Sequence, residues 1–258
     1  MERLAFKVII PARMRSTRLP GKMLADIGGK PLVAWVAERA DQSGADQVIV
    51  ATDHQEIADA LAGRGWKVCT TSPDHATGTD RLAEAVNLLQ LGDDEIVVNV
   101  QGDEPLIDPE LVRKVAGELA LRPRASIATA AHPIEDAKTF FDPNVVKVVV
   151  DTNGFAQYFS RAPIPYARDD FAKSRERLPP GFPAYRHIGL YAYRVRFLRE
   201  YSSLSQTPTE KFEALEQLRA LGHGYRIAVT FWTGMLEAGV DTQEDLERVR
   251  SILVPRGS

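Results

Sequence analysis

The sequence is poor in the residues that build disulfides and zinc sites. It has one cysteine, Cys69, in 258 residues, so no internal disulfide can form. It also lacks a C-x-x-C pair and any cluster of histidines, which removes support for structural zinc. Cys69 lies in the apolar run 66–70 and is predicted to be a buried strand residue rather than a nucleophile.

Long apolar runs and an excess of positive charge are missing too. No run approaches the length of a membrane span, and the first residues lack the apolar core of a signal peptide, so we expect a cytoplasmic protein without membrane insertion. The net charge of −3 argues against a general nucleic-acid binder. With 44% hydrophobic and 26% charged residues, the composition is that of an ordinary globular protein.

The two common phosphate-binding glycine motifs, GxxxxGK[ST] and GxGxxG, do not follow the first predicted strand. The stretch PARMRSTRLPGK stands there instead and carries Arg13, Arg15, Arg18 and Lys22 without any acidic residue. Guanidinium groups, an ammonium and the backbone N–H groups of a turn suit a polyphosphate ligand. The alternative is a solvated basic loop.

Apolar periodicity predicts strands that alternate with helices in the first half of the chain. Such alternation indicates an α/β fold with a mostly parallel sheet covered on both faces. The predicted strands are 7–10, 46–51, 66–70 and 95–100, and the predicted helices are 31–42, 54–62, 79–91 and 108–121.

The pattern changes after residue 144. An antiparallel hairpin is predicted from 145 to 160 with Asn153-Gly154 at its turn, and 162–183 with its five prolines is predicted to be an excursion or lid rather than core. A strand (188–193), a helix (209–221), a strand (227–232) and a helix (242–252) follow. No linker forces a division, so we expect one domain over 1–252; the ending 253–258, LVPRGS, resembles an expression-tag remnant.

Two acidic residues stand where strands meet loops. Asp103 follows the strand 95–100, and a carboxylate at the tip of a buried strand must be hydrated, paired or metal-bound. Mg²⁺ takes one or two carboxylates together with phosphate oxygens, so Asp103 is a candidate ligand, while Glu104 is expected to cap or pair nearby. Asp241 precedes the last helix; it is either a second ligand or a helix-end residue beside the competent N-cap Thr242.

Taken together, the motifs resemble those of one family, the 3-deoxy-manno-octulosonate (Kdo) cytidylyltransferases or CMP-Kdo synthetases. The resemblance runs from Phe6 to Ile252. The matching segments are PARMRSTRLPGK (11–22), ATDH (51–54), TGTDRLAE (77–84), NVQGDEP (99–105), FSRAPIP (159–165), RHIGLYAYR (186–194), LEQLR (215–219) and GVDTQEDLERV (239–249).

The resemblance implies an enzyme that joins CTP and Kdo into CMP-Kdo and pyrophosphate for lipopolysaccharide biosynthesis. It implies a single Rossmann-like nucleotidyltransferase domain, with an inserted region at 145–200 that holds the hairpin, the lid and the dimerisation surface. Mg²⁺ is the implied cofactor, CTP and Kdo are the small-molecule partners, and the implied assembly is a homodimer.

Site residues follow from the resemblance position by position. The implied CTP-binding residues are Ala12, Arg13, Ser16, Arg18, Lys22, Thr52, Asp53, Thr77, Gly78 and Thr79. The implied Kdo-binding residues are Gln101, Arg161, His187, Tyr191, Glu216 and Gln217. Asp103 and Asp241 would bind the metal, and together with Arg13 and Lys22 they are the implied catalytic residues.

The residue chemistry agrees with part of this assignment. Arg161 is a suitable partner for a substrate carboxylate, because arginine pairs bidentately with such groups. Glu216 and Gln217 lie off the apolar stripe predicted for the helix 209–221. From the sequence alone they would be solvated, whereas the family resemblance implies that they bind the substrate. Two other functions remain open: a CMP-sialate-type synthetase, and a non-catalytic nucleotide-binding module.

Overall fold

The computed structural model describes residues 3–75 and 77–254, so residues 255–258 of the predicted tag remnant lie outside the described residues. Within these ranges the chain forms two compact units. The first takes the residues up to Gly117 together with 192–202 and the residues from Met235, and the second takes 118–191 and 203–234. The single domain over 1–252 stays a prediction, because compactness does not measure independent folding.

The first unit is built on four parallel strands in the order β6–β1–β4–β5. Their central residues are apolar and buried, as expected for strands covered on both faces. The strands of this unit are β1 (Lys7–Ala12), the short pair β2 (Asp26–Ile27) and β3 (Lys30–Pro31), β4 (Gln47–Thr52), β5 (Lys67–Thr70) and β6 (Ile96–Asn99). The strand–helix alternation predicted for this half is confirmed, and Cys69 is a buried residue of β5.

Two helices of the first unit, α3 (Gly78–Leu88) and α10 (Gln243–Leu253), begin at capping boxes. Thr77 and Thr242 each form a capping box with the acidic residue three positions later, which satisfies N–H groups at the helix start. None of the helices in the described residues is long and apolar enough to span a membrane. The helices are α1 (Leu32–Gln42), α2 (Gln55–Leu61), α3 (Gly78–Leu88), α4 (Pro109–Leu121, whose last residues belong to the second unit), α7 (Val195–Tyr201) and α10 (Gln243–Leu253).

The second unit mixes parallel and antiparallel pairing. Its strand β11 runs parallel to β7, whereas β8 is antiparallel to both β9 and β10. The strands are β7 (Ile127–Pro133), β8 (Lys147–Val150), β9 (Ala156–Ser160), β10 (Tyr185–Arg194, which continues into the first unit) and β11 (Ile227–Phe231). The helices are α5 (Ala137–Phe141), α6 (Arg168–Phe171), α8 (Pro208–Glu213) and α9 (Gln217–Gly222).

The predicted hairpin is confirmed as β8 and β9. Its turn is closed by the N–H of Asp151 donating to the carbonyl of Phe155 at 2.8 Å. The carboxylate of Asp151 accepts from the N–H groups of Asn153 and Phe155, and Gly154 takes the left-handed φ of 82° that the turn needs.

The prediction of one continuous helix over 209–221 is wrong, because the segment forms two short helices. Ala214 has a φ of 51°, which ends α8, and α9 begins three residues later. Phe212 is 92% exposed while Leu215 and Leu218 are buried, so the predicted apolar stripe does not form one face. The reason is a tertiary contact: Arg219 folds back on the buried carboxylate of Glu210 with hydrogen bonds of 2.6 and 2.9 Å.

The segment 162–183 differs from its prediction at one residue. It contains α6, and its Phe171 is buried and packs against Phe140 and Phe182. The expectation of an excursion or lid rather than core is therefore wrong for Phe171, whereas Tyr166 is exposed. The strand β7 was missed because its sequence IATAAHP is rich in alanine and carries little strand signal.

We expect Glu210→Ala to lower the free energy of unfolding by about 3 kcal/mol, because it removes the carboxylate that accepts the hydrogen bonds of the nearly buried Arg219. Urea unfolding of the variant and of Lys211→Ala, an exposed neighbour on α8, measures this. Equal midpoints for the two variants would contradict a stabilising role for the pair.

Candidate active site

The cationic loop after β1 closes in a turn that requires glycine. Gly21 has a φ of 67° and precedes a single 3-10 turn at Lys22–Leu24. This turn directs Lys22 inward, where the residue is only 8% exposed, whereas Arg15 and Arg18 are exposed and Arg13 and Ser16 are half-buried. One cation of the loop is therefore fixed in the protein, and the others are accessible to a ligand.

A second glycine brings Asp103 close to this turn. A side chain at Gly102 would place its Cβ 2.8 Å from the carbonyl oxygen of Pro11 and 3.0 Å from Sδ of Met23. The loop after β6 therefore lies directly against the end of β1, and only glycine fits at the contact.

A third glycine allows the segment before α10 to reach the same place. The Cβ of any side chain at Gly239 would lie 3.1 Å from the carbonyl oxygen of Asp103. The next residue, Val240, donates its N–H to that carbonyl at 2.8 Å. This backbone hydrogen bond fixes Asp241 beside Asp103, although 138 positions separate them in the sequence.

Lys22 joins the two carboxylates. Its Nζ donates to Asp103 at 2.6 Å, to Asp241 at 3.0 Å and to the carbonyl of Val240 at 3.1 Å, which uses all three of its N–H groups. Burial lowers the pKa of Lys22, but the hydrogen bonds and the charges of Asp103 and Asp241 outweigh it, so the pKa is raised. Lys22 is a cation at neutral pH.

The carboxylate of Asp241 is not the cap of α10. Thr242 and Asp245 provide the cap, while the Asp241 carboxylate binds Lys22 and also Arg18, at 2.8 Å. Of the two readings of Asp241 from sequence, the structure thus favours membership of the charged cluster. Within the described residues Glu104 makes no side-chain hydrogen bond, contrary to the expected cap or pair, and burial together with the charge of Asp103 raises its pKa to about 7.

Several predicted nucleotide-side residues surround the end of β1. Thr52 is buried and is the parallel-strand partner of Ala12, and a Cβ at Gly78 would lie 3.8 Å from the ring of Pro11. The hydroxyl of Thr77 caps α3, while Thr79 is buried in its first turn.

Asp53 is bound by an arginine that sequence reasoning missed. Arg81 is fully buried and donates to Asp53 at 2.9 Å and to the hydroxyl of Thr71 at 2.6 Å. The motif TGTDRLAE includes Arg81, but nothing in its spacing indicates that the side chain turns inward. The pair leaves Oδ1 of Asp53 and Nε of Arg81 buried without a partner among the described residues.

In the second unit, Arg161 carries a charge that no carboxylate neutralises within the described residues. Its Nε donates to the carbonyl of Glu213 at 2.7 Å and its Nη1 donates to the carbonyl of Pro143 at 3.2 Å. Backbone carbonyls therefore orient the guanidinium and leave its positive charge for an anionic ligand.

His187 is kept neutral in the same unit. Burial lowers its pKa to about 3, and its Nε2 lies 2.9 Å from the hydroxyl of Thr129. Its ring contacts those of Phe159 and Tyr191, which places two predicted Kdo-binding residues side by side. Of the other predictions, Glu216 and Gln217 lie at the start of α9, and Gln101 lies in the first unit. The side-chain nitrogen of Gln217 is buried and has no partner in the described part of the chain.

A family model described as Cytidylyltransferase matches residues 7–227. A solved CMP:2-keto-3-deoxy-manno-octonic acid synthetase complexed with CTP is 40% identical, with 96% of this chain and 98% of that chain covered and a TM-score of 0.85. A nucleotidyl transferase from Methanothermobacter thermautotroptrophicus (17% identity, 96% and 97% covered, TM-score 0.56) shares the fold. A cytidylyltransferase from Leptospira borgpetersenii also shares it, with 17% identity, 100% of this chain and 89% of that chain covered, and a TM-score of 0.58.

The parallel sheet and the cluster of cations and carboxylates at its edge define a nucleotidyltransferase. The chain belongs to the cytidylyltransferase family. The resemblance to CMP-Kdo synthetases that the motifs indicate is confirmed by the 40% identity over almost the whole chain.

The pKa of His187 predicts how stability depends on pH. Between pH 6.5 and 3 the unfolded chain binds a proton at this residue that the folded chain does not, so the contribution of His187 to stability falls as the pH falls through this range. Lowering the pH from 7 to 5 should reduce the free energy of unfolding of the parent by about 1–2 kcal/mol more than that of His187→Gln. Urea unfolding at both pH values checks this; an unchanged difference would contradict a neutral, buried His187.

Proposed function

We propose that the protein transfers the cytidylyl group of CTP to Kdo and releases pyrophosphate. The observation that carries the proposal is the convergence of Arg18, Lys22, Asp103 and Asp241 at the end of β1, in a chain 40% identical to a synthetase that was solved with CTP. In an open parallel sheet, ligands bind at this carboxyl edge of the strands.

The cations of the loop bind the triphosphate. Arg13 and Arg18 are accessible enough to contact the β- and γ-phosphates, and Arg18 is held near the cluster by Asp241. Lys22 keeps its proton because its pKa is raised, so it supplies a fixed positive charge to the triphosphate and to the leaving pyrophosphate. The nucleotide side is completed by the residues around Ala12, Thr52 and Gly78.

The donor set at Asp103 and Asp241 fits Mg²⁺. Both carboxylates already converge on one cation, the ammonium of Lys22, and both are partly exposed. Among the described residues no group of three or more Asp, Glu, His or Cys side chains could hold a metal, so phosphate oxygens and water would complete the shell, as Mg²⁺ prefers. Bound there, Mg²⁺ would polarise the α-phosphate and lower the pKa of the attacking hydroxyl.

The sugar acid binds to polar residues of the second unit. Arg161 pairs with its carboxylate, since no carboxylate of the described residues forms an ion pair with this guanidinium. His187 is neutral, so it takes part in hydrogen bonding to sugar hydroxyls rather than in charge pairing. The side-chain nitrogen of Gln217, which has no partner among the described residues, donates to the same ligand, and Tyr191 and Glu216 are assigned to it as well.

We extend the proposal to a cytoplasmic homodimer whose product enters lipopolysaccharide biosynthesis, as the family resemblance implies. The hairpin turn at Asn153-Gly154, with Asn153 exposed, supports the choice of a docking surface. Light scattering that gives the mass of a single chain would contradict the dimer, and recovery of the native protein outside the cytoplasmic fraction would contradict the location.

The function is tested by supplying CTP and Mg²⁺ with either Kdo or sialic acid and measuring pyrophosphate. We expect release with Kdo and little with sialic acid. Release mainly with sialic acid would favour the related synthetases. Binding of CTP in titration calorimetry without turnover of either acid would favour a non-catalytic module.

Asp103→Asn tests the metal-binding role. We expect pyrophosphate release to fall about 100-fold with the fold and CTP binding retained, because an amide is a weaker Mg²⁺ ligand than a carboxylate. The matched control is Asp169→Asn, whose side chain is 73% exposed in α6 and which should keep the parent rate. Parent activity of Asp103→Asn in Mg²⁺ would remove Asp103 from the site.

A further inference from the structure

A buried lysine binds the main-chain carbonyl of Arg161. Lys147 is fully buried in β8, and its ammonium donates to the carbonyls of Asp142, Val145 and Arg161 at 2.8, 2.6 and 2.7 Å. All three of its N–H groups are thus used by backbone oxygens. A buried cation is costly unless its donors are satisfied, so this arrangement ties the loop that contains Asp142 and Val145 to Arg161.

A glutamate holds the same residue from the other side. The Glu213 carboxylate accepts the N–H of Arg161 at 2.9 Å and the hydroxyl of Ser160 at 2.5 Å. The main-chain carbonyl of Glu213 accepts from Nε of Arg161 at 2.7 Å. The main-chain N–H of Arg161 is therefore bound by the anionic side chain of Glu213, and its main-chain carbonyl by the cationic side chain of Lys147. The main-chain carbonyl of Glu213 also binds the guanidinium.

The position of Lys147 connects this arrangement to a second sugar-side residue. Lys147 lies in β8 and is the strand partner of Ser160 in β9 on one side and of Arg186 in β10 on the other. The next residue of β10, His187, donates its N–H to the carbonyl of Val146 at 2.8 Å. The strand that carries Lys147 thus lies between the strand ends that carry Arg161 and His187.

The hydrogen bonds leave one edge of the guanidinium open. Nε and one N–H of Nη1 are bound to the carbonyls of Glu213 and Pro143, and no described residue accepts from Nη2. An arginine held in this way has lost most of its rotamer freedom before a ligand arrives, which lowers the entropic cost of binding.

We propose that Glu213 is a positioning residue for substrate recognition: it binds the main-chain N–H of Arg161 while Lys147 binds the main-chain carbonyl, and it thereby orients the guanidinium towards the carboxylate of the sugar acid. Glu213 acts on the substrate only through Arg161. The proposal rests on the proposed function, because it takes Arg161 as the carboxylate-binding residue.

The test is a double-mutant cycle with Glu213→Ala, Arg161→Ala and the double variant, assayed for pyrophosphate release with Kdo and CTP varied separately. We expect Glu213→Ala to raise KM for Kdo about tenfold, with KM for CTP and kcat changed less than about twofold. The reason is that losing the carboxylate releases the Arg161 main chain from the Glu213 segment whose main-chain carbonyl orients the guanidinium. In the Arg161→Ala background the same change should alter KM for Kdo by less than about twofold.

Two further variants separate positioning from general stability. Glu213→Gln keeps an acceptor for the Arg161 N–H and should return KM for Kdo to within about threefold of the parent. Lys211→Ala, an exposed residue of the same helix, should behave as the parent. Thermal unfolding of each variant is recorded alongside.

The proposal is overturned if Glu213→Ala leaves KM for Kdo unchanged, if it raises both KM values together, or if its effect adds fully to that of Arg161→Ala. A failure of the proposed function looks different, because the parent itself would then release no pyrophosphate with Kdo. In that case the cycle is run with the sugar acid that the parent accepts, and the same three outcomes decide the role of Glu213.

Discussion

The ammonium of Lys22 between Asp103 and Asp241 is the contact on which the candidate active site depends. Two carboxylates held this close would repel each other, and a cation between them removes that cost. The approach is helped by two glycines: a side chain at Gly102 would collide with the Pro11 carbonyl, and one at Gly239 would be in tight contact with the Asp103 carbonyl. Sterics at two glycines and electrostatics at one lysine therefore build the same site, and neither would suffice alone.

The charge of Arg161 is held differently from the charges of the buried ion pairs. Glu210 with Arg219, and Asp53 with Arg81, form ion pairs in which each charge is neutralised by its partner. Arg161 is instead held by backbone carbonyls, which orient a charge without neutralising it. Such a group is prepared for an anion that arrives from solution, and this is the physical basis for placing the sugar carboxylate there.

Sequence patterns predicted the first unit better than the second, for a physical reason. Strands such as β1 and β4 are continuous apolar runs, and helices such as α3 and α10 start at capping residues, so local signals agree with the final fold. In the second unit the decisive contacts are long-range. The pairing of Arg219 with Glu210 turns the chain at Ala214, and the packing of Phe171 on Phe140 gives a proline-rich segment its own core.

The sequence alone determined which chemical groups are present: a loop of cations free of acids, carboxylates at strand ends, and motifs that resemble one family over nearly the whole chain. Only the tertiary structure decided which of these groups pair with each other. Lys22 is buried while Arg18 is exposed, and Arg81 binds Asp53. Glu213 and Lys147 both bind the main chain of Arg161. The reason is that hydrogen bonds and ion pairs depend on distance in space. Residues far apart in the chain come within 3 Å only when the strands and glycine contacts between them have formed.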